Sequence, residues 1–346
     1  MNFLETLKGF VTSDSAKEPE HSHTTGDSPG EGYTCVPLRS DLVPAWSGLT
    51  GRVAEVEESV EKRYEETLAE SLDTPTLDLE KDTWAVFAGD DLVAVGLISV
   101  EETPDPDGLS HLDLQFLIDP AHYDPIGPWL LPTMEKRVIE LADERGITGP
   151  RCLQTFGVGV NSPQAALLAR HGYGQVRLFD KMKLSLDALP DDFQPRPRTD
   201  AIVVRKVQES DQEAAREAHI DAFRDHWGEA PPTAEIWDED WHSISASPEY
   251  SVVAVDPDGR VLAYCLALQT VPREVYLALV GVRREGRRRG LAPAVLTTAI
   301  RAAADSGDID SITLHVDTTS PTGADGLYRK LGFDHGVVTS VMRKDA

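Results

Sequence analysis

Apolar residues follow two periods along this chain, and the two periods alternate. Alternation at every second position marks strands; recurrence at three and four marks helices. Residues 33–39 predict a first strand. Residues 41–68 predict a helix, with Val53, Val56, Val60 and Tyr64 on one face. The β-rich runs 84–87 and 92–100, split by Gly89-Asp90-Asp91, predict a hairpin. Leu112, Leu114, Phe116 and Ile118 alternate with His111, Asp113, Gln115 and Leu117 in a further strand. A helix over 128–145 closed by Gly146, a strand over 152–158, a short helix over 163–170 and a strand over 175–184 complete the first half.

The second half repeats that order. A strand over 202–207 leads into a helix over 210–223, which Ser210 and Asp211 can cap. An insert over 227–247 carries three tryptophans. A hairpin turns at Asp256-Pro257-Asp258-Gly259, and a strand runs to Val282. A helix to about Ala304, a strand over 311–317, a helix face of Ala324, Leu327, Tyr328 and Leu331, and a strand over 337–342 follow. Gly172-Tyr173 and Gly332-Phe333 stand at equivalent ends, so the chain reads as an internal repeat. The proline-rich stretch between the halves is a linker. The expected organisation is a disordered tail over 1–32, a domain over 33–186, a linker over 187–200 and a domain over 201–346.

Composition changes this picture in three ways. Acidic residues outnumber basic ones by 59 to 33, giving a net charge of −26, which argues against a nucleic-acid partner; such a surface can simply aid solubility or can attract a cationic substrate. No apolar run is long enough to span a bilayer, and residues 1–10 lack the basic and apolar regions of a signal peptide, so a cytoplasmic protein without a membrane partner is expected. Cys35, Cys152 and Cys265 have no metal-ligand or disulfide spacing and read as buried thiols. His21 and His23 make only a weak metal pair, and no metal is expected.

Against the acidic background, one stretch is basic. Arginines occupy positions 283, 284, 287, 288 and 289, between an apolar strand and the helix that opens at Leu291. A strand, a glycine-punctuated loop and a helix start make an anion site, because the first N–H groups of a helix lack internal partners and the helix dipole is positive there. Gly290 lets the main chain approach a phosphate closely.

Val282 followed by Arg287-x-x-Gly290-x-Ala292 resembles the pyrophosphate loop of the GCN5-related N-acetyltransferases, the GNAT family. Leu327-Tyr328-Arg329-Lys330-Leu331-Gly332-Phe333 resembles the segment that carries the family's general-acid tyrosine. The whole from residue 33 is similar to tandem GNAT proteins such as the mycothiol synthase group. That resemblance implies a mixed α/β fold: two tandem GNAT-like domains, each a mostly antiparallel twisted sheet flanked by helices. In the first domain Tyr123 and Ile126 stand where the loop's arginine and glycine belong, Asp124, Pro125 and Pro128 oppose phosphate binding, and Leu168 replaces the tyrosine. A degenerate first domain and a catalytic second one are therefore expected.

The resemblance further implies roles in the second domain. Acetyl-CoA is the expected co-substrate, held by the main chain of Val280, Gly281 and Val282 and by Arg287, Arg288, Arg289, Gly290, Leu291 and Ala292. Tyr328 is the expected acid. Glu274, His315 or a water chain from either can serve as base; the family asparagine after the fifth strand is replaced by Asp317-Thr318-Thr319-Ser320. Trp227, Glu229, Trp237 and Trp241 are candidates for the acceptor pocket, where aromatics with carboxylates suit a cationic amine; core packing with a solvated acidic face is the equal alternative. The expected activity is acetyl or short acyl transfer to a primary amine, by a monomer or homodimer. The alternatives are a mycothiol-synthase-like enzyme and a non-catalytic acyl-CoA-binding module.

Overall fold

The computed structural model describes residues 28–73, 76–101, 103–189, 201–224, 226–228, 231–319 and 323–346. The expected tail up to residue 27, with His21 and His23, the stretch 190–200 of the expected linker, and Glu229 lie outside the described residues. Two compact units form: one takes the described residues up to Leu178 with Val338–Ala346, the other Phe179–Val337.

In the first unit the strands are β1 (Tyr33–Val36), β2 (Thr83–Ala88), β3 (Asp91–Val100), β4 (Ser110–Ile118) and β5 (Arg151–Gly159), joined by β12 (Val338–Asp345). All neighbours are antiparallel except β4 and β5. Helix α4 (Tyr123–Glu144) buries Leu130, Met134 and Val138 against Ile98 and Leu114 on one face of this sheet. Helix α1 (Val43–Ala54) buries Trp46, Leu49 and Val53 against Ala85 and Val95 on the other. Covering both faces explains why β3 and β4 are buried nearly throughout, the polar residues of β4 included.

Two helical expectations need correction. The helix read over 41–68 is two helices, α1 and α2 (Glu65–Leu72), with an irregular turn between them. Val56, placed by periodicity on the buried face, is 68% exposed. Arg63 is pinned instead to α1: its N–H donates to Thr50 Oγ1 and its carbonyl accepts from Ser47 Oγ, at 2.9 and 2.7 Å. Those bonds compete with helix continuation. Helix α4 starts at Tyr123, not at residue 128, and keeps Pro128 and Pro132 inside it. The short α3 (Leu79–Asp82) and α5 (Pro163–Arg170) complete this unit.

The second unit orders its strands β6 (Gly174–Ser185), β11 (Ser311–Asp317), β10 (Glu274–Val282), β9 (Val261–Val271), β8 (Val252–Val255) and β7 (Val203–Lys206). Only β10 and β11 run parallel. Helix α8 (Leu291–Ser306) packs Val295, Leu296 and Ile300 on one face. Helices α6 (Gln212–Phe223) and α7 (Ala234–Trp241) cover the other with Ala215, Ala218 and Trp237. Helix α9 (Ala324–Lys330) carries Tyr328 into the α8-side core.

The units do not follow the linear halves. The first half's last strand, β6, pairs with β11 from Ser185↔Ser311 to Phe179↔Asp317. The chain's final strand, β12, pairs with β5 from Thr339↔Gly159 to Asp345↔Cys152. Each sheet is completed by a strand from the other half of the sequence. No helix among the described residues is long and apolar enough to cross a membrane.

Candidate active site

Strand β10 creates the site by parting from its neighbour. Its parallel pairing with β11 runs only from Glu274↔Ser311 to Tyr276↔Thr313, while its antiparallel pairing with β9 continues to Val282↔Ala263. A bulge between Leu277 and Leu279 falls where the two parallel strands separate. The β11-side edge of β10 beyond Tyr276 is thus outside the ladder, and peptide-like groups can add to such an edge. Val280, Gly281 and Val282 lie on this stretch. A Cβ on Gly281 would lie 2.3 Å from Tyr264 Oη, so only glycine lets β10 cross that ring.

Tyr264 is fully buried and its hydroxyl lies 2.7 Å from Nδ1 of His219, itself fully buried on α6. His219 stacks on Phe223 at 4.5 Å between ring centroids. This buttress was not read from the sequence. Its signal is the glycine at 281 opposite an aromatic at 264, a pairing visible only once the β9–β10 register is known.

After Val282 the chain makes a 3-10 turn over Arg284–Gly286 and enters α8 through Gly290. Arg288 and Gly290 both adopt left-handed backbone, with φ of 62° and 75°. Positive φ at an arginine is costly and concentrates at ligand-binding loops. Among the described residues, the N–H groups of Arg288, Arg289, Gly290, Leu291 and Ala292 find no protein acceptor. They form a nest of donors at the positive end of a 16-residue helix.

The arginines divide by role. Arg283 donates to the Val261 carbonyl at 2.8 Å and pairs with Glu217 at 3.1 Å. Arg287 donates to the Ala222 carbonyl at 3.1 Å, and the N–H of Arg284 donates to Asp221 at 2.9 Å. These contacts tie the loop to α6. Arg288 and Arg289 make no side-chain hydrogen bond or ion pair among the described residues, which leaves their guanidiniums available for phosphate. A diphosphate therefore fits the donors, and the parted edge of β10 fits an amide-bearing arm.

Tyr328 is 8% exposed, lies in the core cluster that includes Cys265, and meets Phe333 edge-on at 5.9 Å. Burial, with Cys265 nearby, pushes its phenol above the ordinary tyrosine value, so the hydroxyl keeps its proton. The phenol makes no hydrogen bond among the described residues and has a proton to give. Tyr276 feels Tyr328 electrostatically and is itself held protonated by burial. Its hydroxyl lies 3.2 Å from Nδ1 of His315. Burial, reinforced by Lys181, pushes His315 down to about 3, so its imidazole is neutral across the physiological range.

Glu274 does not sit free beside these groups. Its carboxylate takes Lys181 at 3.3 Å, Lys183 at 3.1 Å, Ser311 Oγ at 3.2 Å and Thr313 Oγ1 at 3.0 Å. Burial alone would raise its pKa, but the two lysines and the hydroxyls hold it below the usual carboxylate range. Such a carboxylate is a structural anchor for β6, β10 and β11 and a weak base, which corrects its expected role. Trp237 is also reassigned. It is 2% exposed, donates to the Gln212 carbonyl at 3.0 Å and packs on His219 at 5.3 Å. Trp241 donates to Glu209 at 3.3 Å and packs on Trp237. Both clamp α7 onto α6. Trp227 is half-buried and follows His226, whose ring packs on Phe223 at 5.0 Å.

In the first unit the equivalent parallel pair, β4 and β5, ends at Asp113↔Gln154. The loop that follows β10 has no counterpart there: a 3-10 turn over Pro120–His122 passes straight into α4. Tyr123, Ile126 and Leu168 all belong to the core. A Cβ on Gly127 would lie 2.8 Å from Leu167, so α4 and α5 close tightly together. Cys152 and Cys265 are buried, each thiol pushed up to about 12 by burial, whereas Cys35 is partly exposed.

Residues 213–333 match the model of the acetyltransferase (GNAT) family. The chain superposes on a GCN5-related N-acetyltransferase from Sphaerobacter thermophilus with a TM-score of 0.72 and 25% identity, covering 91% of this chain and 96% of that one. A tandem GNAT protein from the clavulanic acid biosynthesis pathway gives a TM-score of 0.65 at 14% identity, over 90% of this chain and 98% of that one. Saccharomyces cerevisiae N-myristoyltransferase with bound myristoyl-CoA gives 0.60 at 11% identity, over 97% and 84%; the last two likenesses speak for the fold alone. A search of curated proteins found no match. The family model covers the parted strands, the nest of amides and the buried phenol, and over those residues the chain is similar to the GNAT family of acetyltransferases.

Proposed function

We propose that the second unit transfers an acetyl or other short acyl group from acyl-CoA to the primary amine of a small molecule. The observation that carries this reading is the run of five amides over 288–292 with no acceptor among the described residues, two of them on Arg288 and Arg289, whose guanidiniums also make no bond there, just after β10 parts from β11. The loop holds the diphosphate, and the open edge of β10 from Val280 to Val282 receives the pantetheine arm. Val280, Gly281 and Val282 contribute main chain, Arg288 and Arg289 contribute charge, and Arg287 shapes the loop through α6.

The amine nitrogen, in its neutral form, attacks the thioester carbonyl carbon. The carbon–sulfur bond breaks, and Tyr328 gives its proton to the departing thiolate. The proton leaving nitrogen passes to water, with His315 and Tyr276 lining its exit as neutral hydrogen-bonding groups. The net charge of −26 draws a cationic amine toward the protein, and Trp227 is the remaining aromatic candidate beside its path.

The test is calorimetric titration with acetyl-CoA, followed by a free-thiol release assay over a panel of primary amines. One acetyl-CoA per chain and amine-dependent thiol release are expected. Absence of acetyl-CoA binding removes the proposal; binding without thiol release for any amine turns the protein into a binding module. A screen that includes a cysteinyl amino-sugar distinguishes a mycothiol-synthase-like acceptor from a simple amine.

A further inference from the structure

Tyr328 stands on α9, a helix of seven residues, and its phenol makes no hydrogen bond among the described residues. A helix that short does not hold itself together in water, so tertiary contacts must set where the hydroxyl lies. The contacts on the described side of α9 come from β6, a strand of the other half of the sequence.

The segment that leaves α9 runs along β6. The N–H of Phe333 donates to the Tyr328 carbonyl at 3.1 Å, and the Phe333 ring meets the phenol edge-on at 5.9 Å. Asp334 and Lys183 then exchange backbone hydrogen bonds at 2.9 and 3.0 Å, and the N–H of Lys181 donates to the Val337 carbonyl at 3.0 Å. A Cβ on Gly336 would collide with the Lys181 carbonyl, so the two segments lie as close as backbones can.

One carboxylate stands in the middle of this seam. Asp180 is 2% exposed. It shares a face of β6 with Met182 and Leu184, which lie in the same core cluster as Tyr328 and Phe333. It pairs opposite Val316, beyond the level of Thr313 at which β10 and β11 part. Its Oδ2 meets Nδ1 of His335, and its Oδ1 accepts the N–H of Gly336 at 3.1 Å. The other ring nitrogen of His335 lies 3.9 Å from Asp325, on the first turn of α9, which in turn pairs with Arg329 at 2.9 Å. A carboxylate this buried is costly unless it is bonded, and the bonds it makes go to the segment that fixes the end of α9.

From this geometry we propose that Asp180 and His335 are positioning residues for Tyr328. The bonded pair locks residues 335 and 336 onto β6, and Phe333 passes that constraint to the phenol through its N–H and its ring. The half of the sequence without a diphosphate loop thus supplies the anchor for the acid of the other half. The inference rests on the acyl-transfer reading, in which Tyr328 is the acid.

The test uses the full chain, with acetyl-CoA and the most active amine of the panel. Asp180→Asn and His335→Ala are each expected to lower kcat about tenfold, the scale of a charged hydrogen bond, while acetyl-CoA affinity by titration stays within twofold. His335→Asn, which keeps a donor near the place of Nδ1, is expected to recover part of the loss. A second readout needs no turnover: the Cζ resonance of Tyr328 in protein labelled with carbon-13 tyrosine, assigned with Tyr328→Phe, is expected to move in both variants. Native kcat in both variants, acetyl-CoA affinity lost in step with kcat, or an unmoved Tyr328 resonance overturns the proposal. Should Asp180→Asn fail to fold, half-exposed His335 carries the same measurements. Should the native chain release no thiol with any amine, the acyl-transfer reading fails, and the resonance by itself decides whether the pair places the phenol.

Discussion

Tyr328 shows how burial makes an acid useful. A phenol that is 8% exposed and cannot ionise readily has a proton to give, as the proposed reaction requires. Tyr328→Phe is expected to lower kcat by about 100-fold, the usual scale of general acid catalysis, with little change in acetyl-CoA affinity. A kcat within twofold of native would remove the acid role. Asp113 offers a test in the first unit. Burial, with Glu101 adding to it, raises its carboxyl to about 7 despite a 2.8 Å bond from Gln154. Because this folded value lies above the unfolded one, the folded state keeps a proton that the unfolded chain releases. The contribution of Asp113 to stability is greatest below the ordinary carboxylate pKa and falls as pH rises toward about 7. Asp113→Asn should therefore melt above the native protein at pH 8, by on the order of 1 kcal/mol or more, and the gain should shrink toward pH 4. An equal gain at both values would show that Asp113 is not the group responsible.

At the scale of elements, the join of β10 to α8 joins two requirements. The strand must pass over Tyr264, which Gly281 alone permits, and the loop must leave five amides unpaired. Gly281→Ala forces the strand off the ring and should cost about 1–3 kcal/mol of stability, together with acetyl-CoA binding; melting and titration of the same variant check both. Arg288→Ala with Arg289→Ala should weaken acetyl-CoA about tenfold and flatten its salt dependence, since a charged phosphate contact carries that much. Arg287→Ala acts through the Ala222 carbonyl instead and should change the salt dependence less. The glycine-arginine loop could be read from the sequence because its chemistry is contiguous. Tyr264 and His219 could not, because their meeting under Gly281 depends on strand register and on how α6 lies across the sheet.

For the whole molecule, the exchange of β6 and β12 makes the halves interdependent. A fragment of residues 201–346 would lack the strand that pairs with β11 and leave β12 without β5. Unpaired edges associate. That fragment is expected to aggregate or fail to fold, whereas the full chain elutes as a defined species. A soluble monomeric fragment that binds acetyl-CoA with native affinity would show the exchange to be dispensable.

The order of elements, the repeat and the basic glycine-containing loop were legible in the chain, because hydrophobic period, turn residues and contiguous charge are local properties. The same local signal misread the stretch after α1, where Val56 keeps helical spacing yet faces solvent because Arg63 is bonded back to Ser47 and Thr50. Which sheet receives each final strand, which of five arginines stay free, and whether Glu274 is a base or an anchor between two lysines were decided by the folded chain. Those answers depend on distances between residues far apart in sequence. Period and composition specify what each segment is; only packing specifies what it meets.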